Sequence, residues 1–227
     1  MKLEITVPES WQDVKVYQYK AFLKAIKPYE EVEDYEKVKV EKAMSHFCNI
    51  SSAEIAKLSL ETYNGISAYI QELFSDGQGL PLTKKFTIGS TKYGFIPSLD
   101  KMTYGEYLDL STYAKDTWDY ISTIMAVLYR PIVNESGETY EIQAYNGTEE
   151  NTETLFNQAL TMDIVWGAIG FFTHLQEDLV KGMLGYSVKK VKEMKKNTLL
   201  QEALEKSGVD ISQLESLQEM ISQSLKL

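Results

Sequence analysis

The chain has 227 residues and carries 23 Lys and Arg against 33 Asp and Glu, so its formal net charge at pH 7 is −10. This charge argues against nucleic acid as a main partner, because neutralising phosphates requires a basic surface. Hydrophobic residues make up 44% of the chain and charged residues 25%, a balance typical of a folded protein and too apolar for a disordered acidic tail.

Cysteine usage and the length of the apolar runs restrict the compartment. Cys48 is the only cysteine, which excludes an intrachain disulfide and a multi-cysteine zinc site and fits a reducing compartment. The N-terminal sequence lacks the basic start and apolar run of a secretory signal, so we expect the protein to stay where it is made. The longest apolar run, from Ile164 to Phe172, is too short to cross a bilayer, and we expect no membrane partner.

The first half of the chain alternates between helical and strand-like hydrophobic spacing. Pro28 ends one helical run, and Gly89-Ser90 is a two-residue hairpin signal between alternating segments. In chain order, the predicted elements are a short strand over Lys2–Val7, a helix from Val14 to Pro28, a charged helix over Glu31–Phe47, two helices after an N-cap at Ser51 or Ser52 of which the second spans Leu60–Phe74, and strands over Lys84–Ile88 and Thr91–Ile96.

The second half contains the most apolar helical segments. Thr103 and Glu106 have the spacing of a capping box, which predicts that a helix begins at Tyr104. The further predictions are helices over Tyr104–Leu110 and Asp116–Tyr129, a stop at Arg130-Pro131, a strand over Thr139–Tyr145 before the turn Asn146-Gly147, and helices over Thr154–Leu160 and Asp163–Leu184. The Trp166 helix is apolar on nearly all sides, and we predict that it belongs to the core rather than to a partner-binding face.

These elements predict a mainly α protein with short antiparallel β hairpins, of the α+β class. The composition changes after Gly185, so we predict a helical core domain over residues 1–185 and a C-terminal helical extension over residues 186–227. The extension has a narrow apolar stripe that must pack on the core or on another chain. The residues of this stripe, our candidate partner-binding residues, are Leu214, Leu217, Ile221 and Leu225.

The sequence contains no arrangement of residues typical of an enzyme. Neither phosphate-binding glycine motif is present, and His46 and His174 are too far apart in sequence to suggest a metal site. Cys48 follows His46 by two residues, a poor spacing for residues on one helix, and is better interpreted as a small buried hydrophobe. Lysines 189–196 could contact nucleic acid or an acidic partner, but no aromatic residues interleave them, and a solvated helix face is the favoured interpretation. We therefore expect no enzymatic activity, cofactor or metal.

Three segments resemble a family of proteins encoded by tailed bacteriophages of Bacteroidetes-type hosts. They are ITVPESWQDVKVYQYKAFLKAI, FIPSLDKMTYGEYLDLSTYAKDTWDYISTIMAVLYRPI and MDIVWGAIGFFTHLQEDLV. The family belongs to phage structural gene clusters. Within such clusters, a small acidic helical protein with a GEYLDL-like helix start looks most like a tail assembly chaperone.

The resemblance implies that the protein binds the tape measure protein, keeps it dispersed in the host cytoplasm and helps to recruit tail tube subunits. An acidic carrier with an apolar helix face can cover exposed apolar helices of such a client. The alternative is a permanent virion component, such as a head-tail connector or ring subunit in contact with neighbouring subunits, and a homo-oligomer is compatible with either function.

Overall fold

The computed structural model describes residues 5–76, 79–98, 102–147 and 150–172. Helices and four short strands follow one another along this part of the chain. The helices are α1 (Val16–Ile26), α2 (Tyr35–Phe47), α3 (Ser52–Ile55), α4 (Leu60–Asp76), α5 (Tyr104–Tyr113), α6 (Ile121–Leu128), α7 (Glu150–Ala159) and α8 (residues 162–172). The strands are β1 (Lys85–Ile88), β2 (Thr91–Phe95), β3 (Tyr129–Ser136) and β4 (Thr139–Ile142). This architecture confirms the α+β class.

The four strands form one antiparallel sheet in the order β1-β2-β3-β4. Gly89 and Gly137 have φ of +59° and +60° in the turns between β1 and β2 and between β3 and β4, a conformation that glycine adopts without a steric penalty. Tyr129 is fully buried, and its hydroxyl donates to the Thr83 carbonyl at 2.7 Å. Helix α7 packs its buried Phe156 5.0 Å from the Tyr93 ring, so the sheet contributes to the core.

A second part of the core is a cluster of aromatic rings among α1, α2, α4 and α8. Trp11 lies at its centre, with ring centroids 5.7 Å from Tyr19 and 5.7 Å from Trp166. The other rings of the cluster are Phe22, Phe47, Phe74 and Trp118. Edge-to-face pairs at these distances stabilise a core beyond the area that they bury.

Main-chain hydrogen bonds connect the start of α1 to the junction between α7 and α8. The Val16 amide donates to the Leu160 carbonyl at 3.0 Å, and the Met162 amide donates to the Val14 carbonyl at 2.8 Å. Residues more than 140 positions apart are therefore neighbours, and the compact unit that they close ends at Gly170.

Most of the predicted elements are confirmed. Ser51, one of the two predicted N-cap residues, caps α3, the Thr103 capping box forms as predicted, and the hairpin turn falls at Gly89-Ser90. Cys48 is buried, which raises the pKa of its thiol to about 11. Val165 and Ala168 are buried in α8, as predicted for the Trp166 helix, whereas Trp166, Ile169, Phe171 and Phe172 are only partly buried. The part of this predicted helix beyond residue 172 lies outside the described residues.

Two predictions are wrong, and one strand was not predicted. The predicted helix over Asp116–Tyr129 is a 3-10 turn and a bend followed by α6, which begins only at Ile121, so Trp118 does not lie on that helix. The predicted helix stop at Arg130-Pro131 is confirmed, since α6 ends at Leu128, but these two residues lie within β3, a strand that the sequence did not predict. Residues 5–7 of the predicted first strand are not in a strand, because strand pairing needs a neighbour and the sheet is formed elsewhere.

Strand β3 tolerates Pro131 because β4 has already ended beside it. The Pro131 carbonyl accepts from the Gln143 amide at 2.8 Å, one residue beyond the end of β4, so the missing proline N–H removes no hydrogen bond from the β3–β4 register, which begins at Ile132.

The predicted boundary at Gly185 and the C-terminal extension lie outside the described residues. Within the described residues, no helix combines the length and apolar character needed to cross a bilayer.

Candidate functional site

Helix α5 is rotated so that a carboxylate faces the core and apolar side chains face outward, the reverse of the usual arrangement. Of its ten residues, Glu106 alone is buried, with 2% of its surface exposed. Tyr104, Tyr107 and Leu108 have 77%, 60% and 49% of their surfaces exposed. A surface helix normally buries its apolar side chains and exposes its carboxylates. The inversion makes α5 the strongest candidate for a functional element among the described residues.

Glu106 is held from two sides. Its Oε2 accepts from the Thr103 amide at 2.5 Å, and its Oε1 lies 2.5 Å from Nη2 of Arg130 on β3. Burial alone would raise the pKa of Glu106, but the hydrogen bonds from Thr103 and the pairing with Arg130 outweigh burial and hold this pKa below its usual range. Glu106 is therefore charged at neutral pH and attaches the start of α5 to the sheet.

Tyr145 makes a second connection between α5 and the segment after β4. The Arg130 guanidinium lies over the Tyr145 ring at 5.4 Å from its centroid. The Tyr145 hydroxyl donates to Oδ2 of Asp109, and burial followed by this hydrogen bond raises the pKa of the tyrosine. We call Glu106, Asp109, Arg130 and Tyr145 the α5 anchor. Both carboxylates of α5 are used within this anchor.

The opposite side of the helix carries Tyr104, Tyr107 and Leu108, which we call the α5 face. The spacing i, i+3, i+4 places these side chains next to one another on one side of the helix. Tyrosine is enriched at protein interfaces because its ring provides apolar contact area and its hydroxyl provides a hydrogen bond. The α5 face is uncharged and continuous, and it is suited to packing against another apolar surface.

Beside the anchor lies a cavity of about 70 Å³. Its inner wall contains Ala126, Tyr129 and Arg130, and the exposed Gln143 and Asn146 lie at its mouth. Nε and Nη1 of Arg130 are buried and have no hydrogen-bond partner among the described residues. Buried donors in this state are rare in folded proteins.

A larger groove of about 890 Å³ runs between α1 and residues 115–119. Leu23, Ile26 and Trp118 contribute its apolar part. Its charged lining residues have both signs, namely Lys20, Lys24, Lys27, Lys115, Glu30, Asp116 and Asp119. This mixture selects no particular charge in a ligand, so the groove is a weaker candidate than α5.

The candidate partner-binding residues from the sequence lie outside the described residues, as do lysines 189–196. These candidates are Leu214, Leu217, Ile221 and Leu225. Burial and the positive charge of Lys42 lower the pKa of His46, and no group of acidic, His and Cys side chains with metal-binding geometry occurs in the described part of the chain.

The sequence carried two signals of the α5 site that were not used to predict it. Arg130 is the single arginine in a chain with 23 basic residues, a reason to look for a role that lysine does not fill. The GEYLDL segment has a carboxylate on one side of a helical turn and apolar residues on the other. The sequence cannot show which of these sides faces the core, because that depends on where Arg130 lies.

Comparison with known proteins supplies no further identification. The chain matches no protein-family model, no curated protein and no solved structure. The class of protein is therefore inferred from the α5 site and from the sequence resemblance.

Proposed function

We propose that this protein is a tail assembly chaperone of a tailed bacteriophage, which binds the helical tape measure protein and tail tube subunits in the host cytoplasm. The observation that carries the proposal is the α5 face: Tyr104, Tyr107 and Leu108 are exposed on a helix whose two carboxylates are held in the α5 anchor. A client with exposed apolar helix faces would find in it a surface of matching chemistry.

The structure of the anchor supports a role in binding rather than in packing. Turning Glu106 into the protein requires a paired cation and a capping interaction, whereas burying the α5 face would have required neither. The buried ion pair holds α5 in a rotation that exposes two tyrosines and a leucine, and these side chains are therefore available to a partner.

The net charge of −10 supports the other part of a chaperone's work. Copies of a strongly acidic carrier repel one another, so complexes with an apolar client stay dispersed.

Co-expression with the tape measure protein of the same phage tests this function. We expect the wild-type chain to keep the tape measure protein in the soluble fraction and the variant Y104S/Y107S/L108S to lose this effect. The matched control, L60S/Y69S/V133T, removes three equally exposed apolar side chains from α4 and β3 and should behave as the wild type. If the α5 variant solubilised the tape measure protein as well as the wild type does, α5 would not be the client surface.

The C-terminal stripe stays a second predicted client surface. A chain that ends at Gly208 lacks Leu214, Leu217, Ile221 and Leu225. If this truncated chain solubilises the client as well as the full chain does, the stripe takes no part in binding.

The alternative function is a permanent virion component. Strands β1 and β4 are the edges of the described sheet, and edge strands provide fixed contacts to neighbouring subunits in assemblies. Mass spectrometry of purified particles separates the two functions. Stoichiometric presence in mature virions would exclude the transient chaperone, and absence from virions would exclude the structural subunit.

A further inference from the structure

We propose that copies of this chain associate head to tail, so that strand β1 of one copy pairs with strand β4 of the next. These two strands are the opposite edges of the described sheet. The contact does not involve the α5 face and is compatible with both functions considered above. Self-association is measured without the tape measure protein, so its absence would not count against the client surface.

Strand β1 has a free main-chain edge. In an antiparallel pair, successive residues point their N–H and C=O groups alternately towards the neighbouring strand and away from it. The Lys84 carbonyl accepts from the Phe95 amide at 2.9 Å, so the main chain of Lys84 points towards β2. The main-chain groups of Lys85 and Thr87 therefore point outward, to a side where no described strand pairs with β1.

Strand β4 has a matching free edge. The Gln143 amide donates to the Pro131 carbonyl, so the main chain of Gln143 points towards β3. By the same alternation, the main-chain groups of Tyr140 and Ile142 point outward. The Tyr140 side chain does not occupy this edge, because its hydroxyl reaches back over β3 and donates to the Phe95 carbonyl at 2.8 Å.

The directions of the strands allow these two edges to pair. All neighbouring strands in the order β1-β2-β3-β4 are antiparallel, so β1 and β4 run in opposite directions. A second copy in the same orientation beside β4 therefore places its β1 antiparallel to β4. With Lys85 of one copy opposite Ile142 of the next, and Thr87 opposite Tyr140, each pair can exchange both of its main-chain hydrogen bonds.

The charges of the two edges favour pairing of β1 with β4 over pairing of either strand with itself. Lys84 is exposed next to β1, and Lys85 shares the carboxylate of Glu135 with a second lysine, so this edge is basic. The exposed Glu138 and Glu141 make the β4 edge acidic. Like charges on directly opposed strands are destabilising, whereas opposite charges are stabilising. The partner that fits each edge is therefore the other edge of a second copy.

A contact between two different edges has a consequence for the size of the assembly. A pair of copies keeps an unpaired β1 at one end and an unpaired β4 at the other, so further copies can add until a ring closes or a chain forms. The net charge of −10 opposes the contact and each edge is short, so association should become appreciable only at about 100 µM or above.

Two charge variants of the full-length chain test the contact by sedimentation equilibrium. Lys84→Glu and Glu141→Lys should each lower the association constant about fivefold, and the double variant K84E/E141K should restore it, because the two edges are again of opposite charge. Lys57→Glu and Glu61→Lys, at exposed positions outside the sheet, make the same changes in net charge and should associate as the wild type does. A double variant no stronger than either single variant would overturn the proposal.

Two proline variants test the head-to-tail arrangement itself. Thr87→Pro and Ile142→Pro each remove an outward N–H, a position at which an edge strand tolerates proline. The wild type should form species larger than a dimer and each variant alone should stay monomeric, whereas an equimolar mixture of the two should form dimers that do not grow. The proposal is overturned if the wild type stays monomeric up to about 500 µM, as it would if the edges paired only with another protein. It is also overturned if either variant alone associates as the wild type does, or if the mixture stays monomeric.

Discussion

Arg130 and Glu106 decide at the level of single residues how α5 is oriented. Their atoms approach to 2.5 Å inside the protein, where a carboxylate without its cation would be strongly destabilising. Glu106 also closes the capping box, so one side chain both starts the helix and fixes its rotation.

Glu106→Gln tests this pair at the residue scale. The amide preserves the shape of the side chain but leaves the charge of Arg130 unpaired, so we expect the free energy of unfolding at pH 7 to fall by about 3 kcal/mol. Urea denaturation followed by circular dichroism measures the difference.

The same variant predicts a pH dependence. Because the pKa of Glu106 is lowered in the folded protein, its contribution to stability is fully present above the ordinary carboxyl range and is lost as the pH falls through the lowered value. The stability difference between wild type and Glu106→Gln should therefore shrink towards about pH 3. If wild type and Glu106→Gln differed in stability by the same amount at pH 7 and at about pH 3, Glu106 would not act through its charge.

Substitution by alanine is expected to have opposite effects on stability at two helical glycines. A Cβ at Gly167 in α8 would overlap the backbone carbonyl of Pro81, which cannot move aside as a flexible side chain could, so Gly167→Ala should cost about 1–3 kcal/mol. A Cβ at Gly65 in α4 meets nothing within 4 Å, so Gly65→Ala should stabilise the protein by up to about 1 kcal/mol. Thermal unfolding of both variants measures whether Gly167→Ala lowers and Gly65→Ala raises the stability. A loss of stability in Gly65→Ala would contradict the prediction for α4.

At the scale of the element, the start of α5 depends on Thr103. Its hydroxyl accepts from the Glu106 amide at 3.3 Å, while its own amide donates to the Glu106 carboxylate. The sequence sufficed to place this helix start, because a capping box is a local motif. It did not suffice for β3, because Arg130-Pro131 is a typical end signal and the strand exists only through its neighbours β2 and β4.

Thr103→Ala should lower the free energy of unfolding by about 1 kcal/mol through loss of the cap. Thr103→Ser keeps a hydroxyl at the same position and should lose much less. Chemical denaturation of the two variants makes the comparison. Equal losses would mean that the threonine methyl group, not the cap, stabilises the helix start.

At the scale of the whole compact unit, Trp11 connects segments that are distant in the sequence. Its ring lies within about 6 Å of Tyr19 on α1, Phe47 on α2, Phe74 on α4 and Trp166 on α8. The residue precedes every helix that it joins, and it is 3% exposed. Removal of this ring would leave a cavity shared by four helices.

We expect Trp11→Ala to cost about 3–5 kcal/mol, a large part of the stability of a domain of this size. Trp11→Phe keeps part of the packing and should cost clearly less. Urea denaturation followed by far-ultraviolet circular dichroism provides the measurement. A cost for Trp11→Ala as small as that of an exposed residue would show that the cluster does not hold the unit together.

The sequence by itself determined the α+β class, the position of most helices, the β1–β2 hairpin and the burial of Cys48 and of part of α8. These features follow from periodicity, caps and turn residues, which act over a few positions along the chain. The tertiary structure decided that Tyr104, Tyr107 and Leu108 face outward and that Arg130 pairs with Glu106 inside the protein. The physical reason is that the rotation of α5 is set by an ion pair between residues 24 positions apart, which overrides the local pattern that would place the apolar side of the helix against the core.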